Sequence, residues 1–208
     1  MPVARPRDAA TLILVRRDGP APRILMGRRS GGHDFMPDKW VFPGGRIDRT
    51  DYSAPVLRDL RPDVAGELAA SARLKRQDGA RLARALALTA VRETFEETGL
   101  VIGRLSGGQV EADLAGLNYV ARAITPPARH KRFDARFLMA DAEHLASLEP
   151  TDSRELGEVA WFRLDDCRTL DLPTITRAVL DVVERRLAGD DMALPFWRWT
   201  RGMPDSAL

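Results

Sequence analysis

Two short apolar runs near the start of the chain, Thr11–Arg16 (TLILVR) and Arg23–Arg28 (RILMGR), flank the turn-rich segment DGPAP, a pattern that predicts two strands joined as a hairpin. Trp40–Phe42 (WVF) predicts a third, short strand that ends at Pro43-Gly44-Gly45. Over about 48–79 the pattern breaks into polar, Asp/Arg-rich sequence punctuated by Pro55, Pro62 and Gly66, which reads as an insertion carrying one or two short helices. Ala80–Thr98 then shows helical spacing of Ala and Leu, with Gly99 placed to cap the C-terminus. Further strands are predicted near Tyr119–Thr125, Phe133–Ala140 and Glu158–Leu164, and a last helix over Thr174–Ala188 between Pro173 and Gly189. Mixed strands with two substantial helices imply an α/β fold, one sheet between helices, built as a single domain over residues 1–208. A tail over about 190–208 carries Trp197 and Trp199, expected to pack on the body or on a second subunit.

On a wheel of about 100° per residue, Leu88, Val91 and Phe95 share one stripe of the predicted helix. Glu93, Glu96 and Glu97, at i, i+3 and i+4, fall together on the opposite side, beside Arg92. Like charges at that spacing repel, and anions near a helix C-terminus oppose the macrodipole. An exposed acidic face tolerates both effects. A hard divalent cation turns the repulsion into coordination: Mg²⁺ takes oxygen ligands and leaves positions for water and phosphate. That second reading calls for a backbone element that approaches closely, and Phe42-Pro43-Gly44-Gly45 is the candidate.

Composition narrows the setting. The chain has 208 residues, 44% hydrophobic and 30% charged, with a net charge of +2, which does not call for a nucleic-acid partner. No apolar run reaches the roughly 18 residues of a membrane span, and the start, MPVARPRDAA, does not resemble a secretory signal. A single cysteine, Cys167, excludes an internal disulfide and fits a cytoplasmic setting. The cluster ARHKRFDAR (Ala128–Arg136) is open to two readings, an anion site or a solvated basic loop.

Arg92-Glu93-Thr94-Phe95-Glu96-Glu97-Thr98-Gly99-Leu100 resembles the second half of the Nudix hydrolase box, G-x5-E-x7-R-E-U-x-E-E-x-G-U, with Thr94 at the first aliphatic position. Pro43-Gly44-Gly45 resembles its opening. Gly45 precedes Arg92 by 47 positions where the family has 14, an excess of 33 that matches the insertion. Position 84, where an unbroken box has its first glutamate, is Arg84, so either that acid is missing or the insertion supplies a substitute. Residues 35–48, Arg132–Ala140 and the stretch ELGEVAWF resemble the interrupted-box subset of the family, which includes coenzyme A diphosphatases of the peroxisomal Nudix type and bacterial relatives. The Gly-Gln pair of shorter-box coenzyme A hydrolases is absent before Val41-Phe42-Pro43.

The resemblance implies a Nudix α/β/α sandwich with a helical insertion and hydrolysis of a diphosphate linked to a further moiety. Coenzyme A or its thioesters are favoured, with ADP-ribose, a nucleotide sugar or a dinucleotide as alternatives; a non-catalytic ligand-binding module is the reading of another class. It implies Mg²⁺, with Mn²⁺ as substitute, on Glu93, Glu96 and Glu97 and a carbonyl of Gly44 or Gly45, and Arg92 orienting a glutamate. Glu155, ahead of Glu158, is the candidate for a further ligand or general base. Arg28, Arg29, Arg129, Lys131 and Arg132 are either phosphate clamps or solvated cations. His33 and His130 have no metal-ligand spacing, and Trp40 either packs in the core or stacks on a base. A small-molecule diphosphate is the expected partner, and a homodimer is possible on the family's pattern.

Overall fold

The computed structural model describes residues 4–32, 36–73 and 78–198. At its centre lies β1 (Arg7–Arg16), antiparallel to β2 (Arg23–Arg29) as the hairpin reading expects, and parallel to β9 (Phe133–Asp141) on its other side. β8 (Asn118–Ile124) and β10 (Leu156–Arg163) extend the sheet, which runs β10-β2-β1-β9-β8-β11, where β11 is Phe196–Arg198. Helices cover both faces, so Leu12, Ile13, Leu14 and Val15 are all fully buried. That explains why TLILV reads as a continuous apolar run rather than an alternation.

On one face, Leu12, Leu14 and Leu138 meet Leu86 and Ala90 of α2 (Gly79–Thr98). On the other, Ile13, Val15 and Met26 meet Val179 and Val183 of α4 (Thr174–Leu187), helped by Leu164 and Cys167 of the short α3 (Leu164–Cys167). Trp40 packs edge-on against Phe162 with ring centroids 5.0 Å apart, which assigns it to this second core. Trp197 packs partly buried against the same core through the pairing of β11 with β8, so this part of the tail lies on the body; Trp199 and His33 fall outside the described residues.

α2 starts where the Asp78 side chain accepts the Arg81 N–H at 3.1 Å and stops at Gly99, whose φ of 72° is left-handed and whose N–H reaches the Phe95 carbonyl at 2.8 Å. It is buried over more of its circumference than the wheel predicts. Thr94, Glu97 and Thr98 are buried while Phe95 is only half-buried. Glu93 and Glu97 face the glycine pair Gly44-Gly45, while Glu96 stays exposed. Thr94 tolerates its aliphatic slot because its hydroxyl turns back to the Ala90 carbonyl at 2.7 Å.

Between Gly45 and α2 the chain forms a 3₁₀ turn (Thr50–Tyr52), β5 (Val56–Arg58) and α1 (Pro62–Ala70). The expected helical character is thus one α-helix plus one short 3₁₀ turn, and β5 is an addition. β5 joins the hairpin of β6 (Gly103–Ser106) and β7 (Gln109–Asp113) in a separate three-stranded sheet. The strand predicted over Trp40–Phe42 shortens to β3 (Trp40–Val41), and the glycine pair itself forms β4 (Gly44–Arg46) against β1. A buried ionic network fixes the segment to the main sheet: Arg136, fully buried, donates to Ser71 Oγ (3.1 Å), to the Ser71 carbonyl (2.9 Å) and to Asp8 (2.6 Å).

Candidate active site

The last two turns of α2 dock on the glycine strand. The Gly44 N–H donates to Glu97 Oε2 at 2.9 Å, and Gly45 lies so close to Glu93 that a Cβ at this position would stand 2.3 Å from Glu93 Oε1. Only glycine admits that approach. Register pairing of Ala10 with Gly45 and Thr11 with Gly44 holds the strand in place from the other side.

Burial and mutual repulsion shape the charges here. Burial pushes Glu97 up to about 8, against the opposing bond from the Gly44 N–H, and Glu93 and Glu155 add to the rise. Glu93 is also raised, by burial first, with Glu96 and Glu155 adding repulsion and Arg92 opposing. Two carboxyls whose charged forms are both disfavoured by burial form an oxygen-only donor pair that a hard divalent cation stabilises in ionised form. Glu96 differs: its side chain is 55% exposed and accepts from Arg92 Nη1 at 2.9 Å. Among the described residues no three acidic, histidine or cysteine side chains converge into a ready-made metal cluster. The donor set fits Mg²⁺, which binds through one or two carboxylates and keeps several waters.

Arg92 is the hub. It donates to Glu93 Oε1 (3.0 Å), to Glu96, to the Arg46 carbonyl (3.2 Å) and, through Nε and Nη2, to both oxygens of Asp51 (2.8 and 3.0 Å). Burial works against its charge, yet these anions hold its pKa above the ordinary value. Asp51 is 1% exposed and also accepts from Thr89 Oγ1 (2.7 Å) and the Asp48 N–H (2.8 Å). Sequence reasoning missed this residue. Counting back from Arg92 placed the first acid at Arg84, which instead pairs with Asp59 at 3.3 Å. Counting forward from Gly45 by the family's five intervening residues lands on Asp51. The extra chain therefore follows the acid, and the signal was available in the spacing.

Above the carboxylates opens a cleft of about 980 Å³ lined by Arg29, Gly44, Gly45, Glu93, Glu155 and the segment Arg129–Phe133, among others. Glu155 is held at its edge because its carbonyl accepts the Ser30 N–H at 3.0 Å, beside the end of β2. Arg29 is buried enough to lower its pKa, against the pull of Glu97 and Glu155. Arg132 and His130 line the same cleft, and Arg132 is held by the carbonyls of Thr125 (3.0 Å) and Ala4 (2.8 Å). The structure therefore brings Glu93, Glu155, Arg29, Gly44, Gly45 and Arg132 to one cleft, with Glu97 beneath. It does not bring Arg28 or Glu158, which pair with each other at 3.0 Å on the outer side of β2 and β10. That contact removes Arg28 from the candidate phosphate clamps.

A mixed sheet between helices, with an R-E-x-x-E-E helix seated on a Pro-Gly-Gly strand, is the Nudix hydrolase fold. Among solved structures, a Nudix hydrolase from Alicyclobacillus acidocaldarius superposes with a TM-score of 0.63 and 25% identity over 93% of this chain and 99% of that one. The Nudix domain of Shewanella oneidensis NrtR, complexed with ADP ribose, superposes with a TM-score of 0.56 at 14% identity over 88% of this chain and 90% of that one, a likeness of fold alone. Among curated proteins, acyl-coenzyme A diphosphatase NUDT19 of Gallus gallus is 31% identical over 147 residues, 59% of this chain and 39% of that protein. The chain thus matches about two-fifths of that relative's length. No family model matches the sequence.

Proposed function

We propose that this chain is a divalent-cation-dependent diphosphatase that hydrolyses a nucleoside diphosphate linked to another moiety, with coenzyme A or an acyl-coenzyme A as the favoured substrate. The observation that carries the proposal is the docking of Glu93 and Glu97 on Gly44-Gly45 at the base of a cleft whose rim is basic. The likeness to NUDT19, named an acyl-coenzyme A diphosphatase, supports the substrate class.

Glu93 and Glu97, with the carbonyl of Gly44 or Gly45, would hold Mg²⁺ or Mn²⁺, and Glu96, one helical turn from Glu93 and paired with Arg92, is the third candidate ligand. When bound, the cation neutralises diphosphate charge and lowers the pKa of a coordinated water. Arg92 and Asp51 keep Glu93 aimed at the cleft. Arg29 and Arg132 meet phosphate oxygens through charge-assisted hydrogen bonds. Glu155, at the edge of the cleft, is the candidate to accept the proton of the attacking water as general base. The rival view of a binding module that has lost turnover leaned on the absence of an acid at position 84, and Asp51 takes away that support.

The test is a substrate panel: coenzyme A, acyl-coenzyme A, NADH, ADP-ribose, UDP-glucose and diadenosine polyphosphates. Each is incubated with Mg²⁺, Mn²⁺ or EDTA, and products are identified by mass spectrometry. Metal-dependent release of 3′,5′-ADP and (acyl-)4′-phosphopantetheine is expected. Cleavage of another compound alone would move the substrate. Absence of all turnover with tight binding of one compound would replace the enzyme by a sensor.

A further inference from the structure

A second concavity of about 550 Å³ adjoins the cleft and shares Arg5, Pro6, Arg7 and Arg46 with it. Its remaining wall includes Arg49, Arg73 and Tyr52. Several arginines elsewhere on the surface are matched with acids, among them Arg16 with Asp18, Arg58 with Asp113, Arg104 with Glu111 and Arg168 with Asp181, whereas single arginines such as Arg154 and Arg163 are not, among the described residues. Here the matching fails. Among the described residues, no carboxylate lies within ion-pair distance of Arg5, Arg7, Arg46, Arg49 or the neighbouring Arg132. The two acids that line the concavity are engaged: Asp8 with Arg136 at 2.6 Å, and Asp48 with the backbone N–H and hydroxyl of Thr50, both at 3.0 Å. Arg73 adds to the positive field rather than relieving it. It pairs with the fully buried Asp134 at 2.9 Å and donates to the Pro6 carbonyl at 2.6 Å, and its charge, after burial, depresses the pKa of Arg132.

We infer that this arginine-lined concavity is a second anion subsite, built to take a phosphate monoester carried by the same substrate whose diphosphate lies over Glu93. Arginines that outnumber the carboxylates among them repel one another, and a dianionic group with three acceptor oxygens relieves that repulsion through several charge-assisted bonds at once. Position supports the pairing of the two subsites. Arg46 follows Gly45 directly, and its carbonyl accepts from Arg92 at 3.2 Å. Arg7 lies three residues along β1 from Ala10, the strand partner of Gly45, roughly 10 Å at the rise of a β-strand. That is the scale of a nucleotide. The substrate class narrows to nucleoside diphosphate derivatives bearing an extra ribose phosphate, the feature that separates coenzyme A from dephospho-coenzyme A. The subsite rests on the proposed diphosphatase activity for its biological ligand, but its anion binding is testable without turnover.

Two measurements on the full chain separate these matters. In the first, calorimetry compares binding of adenosine 3′,5′-bisphosphate, 5′-AMP and inorganic phosphate to the wild type and to an Arg5→Gln/Arg49→Gln double variant, whose altered side chains are exposed. The bisphosphate is expected to bind at least about tenfold more tightly than 5′-AMP, with the advantage lost in the variant and shrinking with salt. Equal affinity for the two nucleotides, or an advantage that survives in the variant, would overturn the subsite; so would inorganic phosphate binding as tightly as the bisphosphate, which would indicate a free-anion site. In the second, kcat/KM is compared for coenzyme A and dephospho-coenzyme A, and the expected preference for coenzyme A should collapse in the variant, chiefly through KM. A binding advantage without hydrolysis of either compound would keep the subsite and sink the diphosphatase reading. Hydrolysis of both at equal kcat/KM would do the reverse.

Discussion

Arg92 and Asp51 are 41 residues apart in sequence and share two hydrogen bonds, Nε to Oδ1 at 2.8 Å and Nη2 to Oδ2 at 3.0 Å. Asp51 is almost wholly buried, so removing its charge leaves Arg92 with an unbalanced partner set at the base of the cleft. Asp51→Asn is expected to destabilise the protein by about 2–3 kcal/mol, a lower figure than for a fully buried pair because a quarter of the Arg92 side chain is exposed. It should also lower kcat at least about tenfold by freeing Glu93. Adding Arg84→Glu to that variant should restore nothing. Urea denaturation and turnover on the same samples decide the matter; recovery in the double variant would return the first box acid to position 84.

Glu97→Gln should keep the fold and reduce kcat by at least about 10²-fold, the range that general-base and metal-site losses reach. Its effect on the metal-free protein runs the other way. The Glu97 pKa is raised to about 8 from a reference of 4.5, so the folded state holds a proton that the unfolded state releases. That contribution is fully present below about pH 4.5 and is lost as pH rises toward 8. In EDTA the wild type should therefore lose several kcal/mol from this group across that window, on the order of 1.4 kcal/mol for each pH unit crossed. The Gln variant should lose much less. Melting temperatures of both proteins in EDTA at pH 5 and pH 8 test this, and parallel curves would refute it.

Gly45→Ala offers a cleaner separation of function from stability. The added methyl would meet the Glu93 carboxyl at 2.3 Å, the far end of a flexible side chain that can swing aside. Stability should fall by about 1 kcal/mol, the centre of the range for point substitutions. Activity should fall at least about tenfold, and the Mg²⁺ concentration for half-maximal rate should rise. An unchanged metal requirement would show that Glu93 is not a ligand.

Cys167 should be inert while the protein is folded. It is fully buried and burial pushes its thiol up to about 12 from a reference of 9.0. Thiolate is the reacting form, so a disulfide reagent at pH 8 should label it only with denaturant present. Rapid labelling of the native protein would place the residue at the surface.

Several elements are legible in the pattern because their signals are local. The apolar run of β1, the Gly99 cap of α2 and the Pro173–Gly189 bracket of α4 each depend on a few adjacent residues. β4, β5, β6, β7 and β11 are not legible: Gly44–Arg46 is a strand only because β1 lies beside it, and Val56–Arg58 only because β7 does. The wheel of α2 misplaces Glu97 for the same reason. Periodicity shows which residues share a face, but not that a glycine strand will bury the acidic one.

The sequence by itself determines the chemistry available: Arg92 with three glutamates in one helical turn and a half, a glycine pair that permits close approach, and a surplus of arginine. The tertiary structure alone decides how these are shared out. It assigns Glu93 and Glu97 to the cleft and Glu96 to Arg92, withdraws Arg28 into a pair with Glu158, and brings Asp51 back across the intervening segment to Arg92. Helical spacing is set by bonds four residues apart, so a one-dimensional pattern carries it. Which buried charge meets which is set by packing between distant segments, and burial both raises Glu97 and requires a partner for Arg92.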